Sequence, residues 1–97
     1  MIIADVSITP LGMGTSVSKY VKEAVKILEN SGLKAVTGGM STTLEAPDLE
    51  TLYKVITAAQ ESQFKAGALR VTTILKIDDR RDSEATIEKK IKSATGK

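Results

Sequence analysis

There is no cysteine, no histidine and no tryptophan in the 97 residues, and the only aromatic side chains are Tyr20, Tyr53 and Phe64. Without cysteine the chain has no disulfide framework and no thiolate nucleophile, a composition compatible with a cytoplasmic protein. Without histidine it lacks the side chain that titrates near neutrality, and a metal would find only oxygen ligands, a poor set for zinc. A general base would have to be a carboxylate or lysine with a strongly displaced pKa. No paired nucleophile and base stands out, so a protein that is not an enzyme is expected. No run approaches the roughly 18 apolar residues of a membrane span. The opening MIIADVSI contains Asp5 and no basic stretch, so it reads as a first strand rather than a signal peptide.

Charge of one sign is also missing. Residues 1–50 carry four lysines against six acids, a balance of −2, and residues 51–97 carry ten basic residues against six acids, a balance of +4. Nucleic-acid binding calls for a denser basic stripe with exposed aromatics, so no nucleic-acid partner is expected. What is present, 41% hydrophobic and 27% charged residues, is the composition of one globular domain spanning residues 1–97.

Hydrophobic spacing then orders the elements. In IIADVSITP, residues 2–10, Ile2, Ala4, Val6 and Ile8 share one face and Ile3, Asp5, Ser7 and Thr9 the other, the period of a half-buried strand. LGMGTS forms a loop, and Thr15 or Ser16 is expected to cap a helix whose apolar stripe is Val17, Tyr20, Val21, Ala24 and Leu28. Asn30-Ser31-Gly32 ends it, with Gly32 suited to a left-handed position. Leu33–Thr37 and Ser41–Ala46 read as a hairpin, the glycines 38 and 39 supplying positive φ at the turn. Asp48 is the expected cap of a second helix built on Leu49, Leu52, Ile56 and Ala59. ALRVTTILKI, residues 68–77, is the last strand, with Leu69, Val71, Thr73, Leu75 and Ile77 on one face. A short helix over residues 84–94, capped by Asp82 or Ser83, buries Ile91.

The order strand, helix, strand, strand, helix, strand predicts an α+β, ferredoxin-like two-layer sandwich (β-α-β-β-α-β) with an extra C-terminal helix. Both main helices then cover one side of the sheet. The other, open side collects Ile3, Asp5, Ser7 and Thr9 with Thr43, Glu45, Arg70, Thr72, Ile74 and Lys76. Glu45 is expected to face outward there with Arg70 as partner, on a surface suited to sheet-to-sheet packing, to a semi-polar ligand, or to ordinary cross-strand pairs.

The opening strand running into ITPLGMGTSVSKYV, the hairpin end STTLEA and the segment ALRVTTILKIDDRRD together resemble a family of small thiamine-binding-like proteins, once grouped as an uncharacterised family. The resemblance covers residues 1–94. It implies a ferredoxin-like domain that forms homodimers or homotetramers through its sheets, and a ligand that is thiamine or its hydroxymethylpyrimidine part. The family's Pro-x-Gly turn falls on Pro10 and Gly12, its threonine and acidic strand position on Thr43 and Glu45, and its arginine position on Arg70. With Thr9 beside the turn, the candidate ligand residues are Thr9, Gly12, Thr43, Glu45 and Arg70. Where the family usually has glycine after the glutamate, this chain has Ala46. The alternative function is an oligomeric structural or regulatory protein whose open face is purely protein interface.

Two further motifs read as structural. GMGTS, residues 12–16, has neither the lysine nor the spacing of a phosphate-binding loop. In DDRRD, residues 78–82, the two arginines are placed to neutralise the acids, and no metal site is expected.

Overall fold

The alternation in IIADVSITP produces a nine-residue strand, β1 (Ile2–Pro10), at the centre of the sheet. The computed structural model describes residues 1–97 and adds α1 (Ser18–Glu29), β2 (Lys34–Thr37), β3 (Thr42–Ala46), α2 (Leu49–Lys65), β4 (Val71–Asp78) and α3 (Ile87–Thr95) in that order. The strands form one antiparallel sheet in the order β2-β3-β1-β4. This is the ferredoxin-like two-layer sandwich expected from the pattern, with the additional C-terminal helix. No helix is long and apolar enough to cross a membrane.

One core joins the layers. Ile2, Ala4, Val6 and Ile8 of β1 and Leu44 and Ala46 of β3 meet Ala24 and Leu28 of α1 and Leu52, Ile56 and Ala59 of α2. Each helix contributes residues three or four apart, which is why the stripes were visible in sequence. The two helices are also tied by a polar contact, as the Gln63 side-chain amide, wholly buried, donates to the Tyr20 carbonyl at 2.7 Å.

Local chemistry differs from expectation in several places. The first N–H groups of α1 receive no side-chain cap. The cap position is Val17, and Thr15 and Ser16 lie outside, exposed. Asp48 does cap α2, accepting from the Thr51 N–H at 2.7 Å. The hairpin tip closes through Gly38 N–H to the Ser41 carbonyl at 2.8 Å, and neither Gly38 nor Gly39 takes a positive φ. Gly32 does, at +89°. Leu69 precedes β4 and is 93% exposed, because the ladder with β1 begins only at Pro10 and Val71. The last helix starts at Ile87, with Thr86 rather than Asp82 or Ser83 as its cap, and it buries Ile87 while Ile91 stays half exposed.

The position of α3 matters most. It lies across one end of the sheet face opposite α1 and α2, where Ile87 and Ala85 cover Ile3 in a small second core. This explains why Ile2, Ile3 and Ala4 are buried in succession, since both faces of β1 are covered at that end.

Candidate functional site

Glu45 is one of the two acidic side chains that sequence placed on the open face, and α3 covers it. It is 8% exposed, and its Oε1 accepts the backbone N–H of Ile87 at 2.6 Å. Ile87 begins α3, so the carboxylate meets an N–H that has no partner within the helix, at the positive end of the helix dipole. Thr86 Oγ1 accepts from the Lys89 N–H at 3.0 Å and completes the cap. Lys34 stands opposite Glu45 on β2 and binds Glu88 of α3 at 2.7 Å. That hydrogen bond raises the Lys34 pKa and holds the Glu88 carboxyl below its ordinary range. Lys90 pairs with Asp78 at the end of β4.

The expected partnership of Glu45 with Arg70 is therefore corrected. Glu45 pairs with Ile3 in the ladder, while the Arg70 carbonyl accepts from Leu11 N–H at 2.8 Å. Eight residues along β1 separate those rows, roughly 26 Å at strand rise. Gly12 and Thr9 lie at the Arg70 end, Thr43 and Glu45 toward the other. The five candidates do not converge.

A cavity of about 270 Å³ opens on the helix side, between the C-terminal half of β1, one face of α1 and the tip of the β2–β3 hairpin. Its apolar wall includes Val6, Val21, Ala24, Val25, Leu28 and Met40, and its polar wall includes Ser7, Thr9, Thr37, Ser41 and Thr42. Of the five sequence candidates only Thr9 lines it. The remainder of this wall was missed because the hairpin tip is turn-like in sequence, and nothing local shows that it shares a cavity with α1. The signal that was available is the cluster Ser41-Thr42-Thr43 after two glycines.

The hydroxyls around the hairpin divide between the two faces of the sheet. Ser41 Oγ donates to Asp5 Oδ1 at 2.9 Å, and Thr43 Oγ1 donates to the same oxygen at 3.1 Å. Thr37 Oγ1 donates to Glu29 Oε2 at 3.1 Å and lies 3.4 Å from Thr42 Oγ1. With the Thr37 proton committed to Glu29, the hydrogen on the Thr42 oxygen is the one left for the Thr37–Thr42 contact. A hydroxyl has one proton and two lone pairs. The Thr42 oxygen, beside Thr37 in the cavity wall, thus keeps its lone pairs for a ligand that brings donors, whereas the Ser41 hydroxyl is held by Asp5 on the opposite face of the sheet.

Other hollows are less suited. About 610 Å³ of open space lies beside the loop 79–84, but Arg80 is bound to Asp82 at 2.6 Å and Arg81 to Asp79 at 2.9 Å. The expected internal neutralisation of DDRRD is what the structure shows, and these contacts hold both carboxyls below their ordinary range. A groove of about 260 Å³ under α3 is lined by Ile3, Val36, Thr43, Ile87 and Ile91. No three acidic side chains converge to hold a metal ion.

A family profile described as thiamine-binding protein matches residues 4–95, nearly the whole chain. The chain belongs to the thiamine-binding protein family. Its relatives include a UPF0045 protein of Methanothermobacter thermautotrophicus, 43% identical, the match covering 100% of this chain and 99% of the relative. The UPF0045 protein YqgV of Bacillus subtilis is 45% identical over 96% of this chain and 93% of its own. Among solved structures, a hypothetical protein of Methanocaldococcus jannaschii superposes with a TM-score of 0.88 at 44% identity, covering 96% of this chain and 94% of that one. The family is described by what it binds rather than by a reaction.

Proposed function

We propose that this protein binds thiamine, or its hydroxymethylpyrimidine moiety, with the pyrimidine ring in the cavity between β1, α1 and the hairpin tip. The observation that carries this function is the pairing of an apolar wall with the Thr37 and Thr42 hydroxyls, the Thr37 proton being already committed to Glu29. The exocyclic amine and hydroxymethyl group of the pyrimidine are donors, and the ring is flat and apolar enough to lie against Val21, Val25 and Met40. The volume falls just below the usual range for ligand pockets, roughly 300–1,000 Å³, and suits one substituted ring with the thiazolium left outside. Of the sequence candidates Thr9 borders this cavity, through its backbone, whereas Glu45 serves α3. Calorimetric titration with hydroxymethylpyrimidine tests the assignment. Wild type should bind saturably, and Val21→Phe, which fills the cavity from α1, should abolish the heat while leaving the circular dichroism spectrum unchanged.

Self-association is a second function favoured by a separate observation. Beyond the reach of α3 the open face leaves Ile74 65% exposed, and at the groove under α3 Val36 of β2 and Ile91 of α3 itself are also half exposed. Large apolar groups on a sheet face suit a homodimer or homotetramer. Sedimentation equilibrium of wild type and Ile74→Lys tests it. A mass shift toward monomer is expected for the variant, and an unchanged mass would contradict it.

A further inference from the structure

The cavity is bounded by Ser7, Ile8 and Thr9 in succession. The side chains of Ser7 and Thr9 leave the sheet on the face opposite to that of Ile8, so the feature that all three turn toward the same space is the backbone edge of β1. The register shows what that edge offers. Leu11 N–H bonds the Arg70 carbonyl, so Leu11 directs its peptide groups toward β4, and by alternation Ile8 directs both its N–H and its C=O toward β3. The β3 ladder stops short of it, the last pair being Val6 with Thr42. The position opposite Ile8 is Met40, which lies in the turn, and no backbone hydrogen bond joins the two. Two residues further along the same edge stands Pro10, which has no N–H to offer. The free edge therefore presents one donor, at Ile8, with an acceptor of the same residue beside it.

We propose that this peptide edge is the specificity element of the cavity, pairing with a heteroaromatic ring that carries a ring-nitrogen acceptor next to an exocyclic amine. The ligand takes the place that a β3 residue would occupy opposite Ile8: its ring nitrogen accepts the Ile8 N–H and its amine donates to the Ile8 carbonyl. The 4-aminopyrimidine edge has this arrangement. This inference rests on the proposed function and adds which edge of the ring is read and by which atoms. It also assigns the hairpin's early turn a purpose. Had β3 continued by two residues, Met40 would have taken the Ile8 peptide groups and closed the site.

Nuclear magnetic resonance of the ¹⁵N-labelled full chain tests it, using two probes: 4-amino-5-hydroxymethyl-2-methylpyrimidine and its analogue lacking the 4-amino group. The amino compound should shift the Ile8 amide resonance and slow its hydrogen exchange. The desamino analogue should bind about tenfold more weakly, the scale of one lost hydrogen bond. Saturable binding of the amino compound with the Ile8 amide unmoved, or equal affinity for both probes, would overturn the edge recognition and leave the proposed function standing. Binding of neither would overturn both.

Discussion

Glu45 shows how one side chain can hold an element in place. Its carboxylate is nearly buried, and the Ile87 N–H is its hydrogen-bond partner. Glu45→Ala leaves that N–H without an acceptor, at a cost of about 1–3 kcal/mol. The loss should appear as a lower denaturation midpoint and as faster amide exchange in α3 with β1 still protected. Unchanged exchange in α3 would show that the ion pairs Lys34–Glu88 and Lys90–Asp78 suffice to hold the helix. In the main core, Leu44 and Leu52 are fully buried between the layers. Leu52→Ala should cost about 2–5 kcal/mol by cavity formation, measured by urea unfolding, and a cost under 1 kcal/mol would mean that α2 closes the gap. In the cavity, Thr37→Val removes the exposed hydroxyl that is bound to Glu29 and lies beside Thr42. It should weaken hydroxymethylpyrimidine binding with little loss of stability.

At the scale of elements, α2 and α3 begin with side-chain caps and α1 does not. Asp48 is held below the ordinary aspartate range, chiefly by the Thr51 backbone N–H. A carboxyl depressed on folding contributes stability above its unfolded pKa, and that contribution is lost as pH falls through its folded value. Asp48→Asn keeps a good cap but removes the titration. The variant should match wild type near neutrality and lose stability less steeply in acid, as thermal melts across pH 2–6 would show, that window lying about the ordinary aspartate pKa. The elements themselves were legible because each carries one clear period: two in β1 and β4, three or four in α1 and α2. What was not legible depended on where the chain goes in space. Ile3 and Glu45 looked like open-face residues because no local signal places α3 over them. Leu69 continued the alternation of β4, yet the ladder begins after it. The pair of glycines at the hairpin suggested positive φ, whereas the four-residue tip closes without it. Arg70 and Glu45 lay on the same predicted face but at opposite ends of the sheet, a distance that only the register reveals.

For the whole molecule, the sheet separates two surfaces with different chemistry. On the helix side, β1 outruns β3, and α1 and the hairpin tip flank its free edge, leaving a walled cavity that includes the Thr37 and Thr42 hydroxyls. On the other side, α3 closes one end and leaves Ile74 exposed. The surfaces proposed for ligand binding and for self-association lie on different faces, so Ile74→Lys should change the solution mass without changing the affinity for the pyrimidine. The central claim is that the cavity is a pyrimidine site, and calorimetry of the wild-type chain against Val21→Phe with hydroxymethylpyrimidine tests it most directly. Saturable heat in the wild type that disappears in the folded variant is the predicted result. Heat of equal size in both proteins, or none in the wild type, would contradict it.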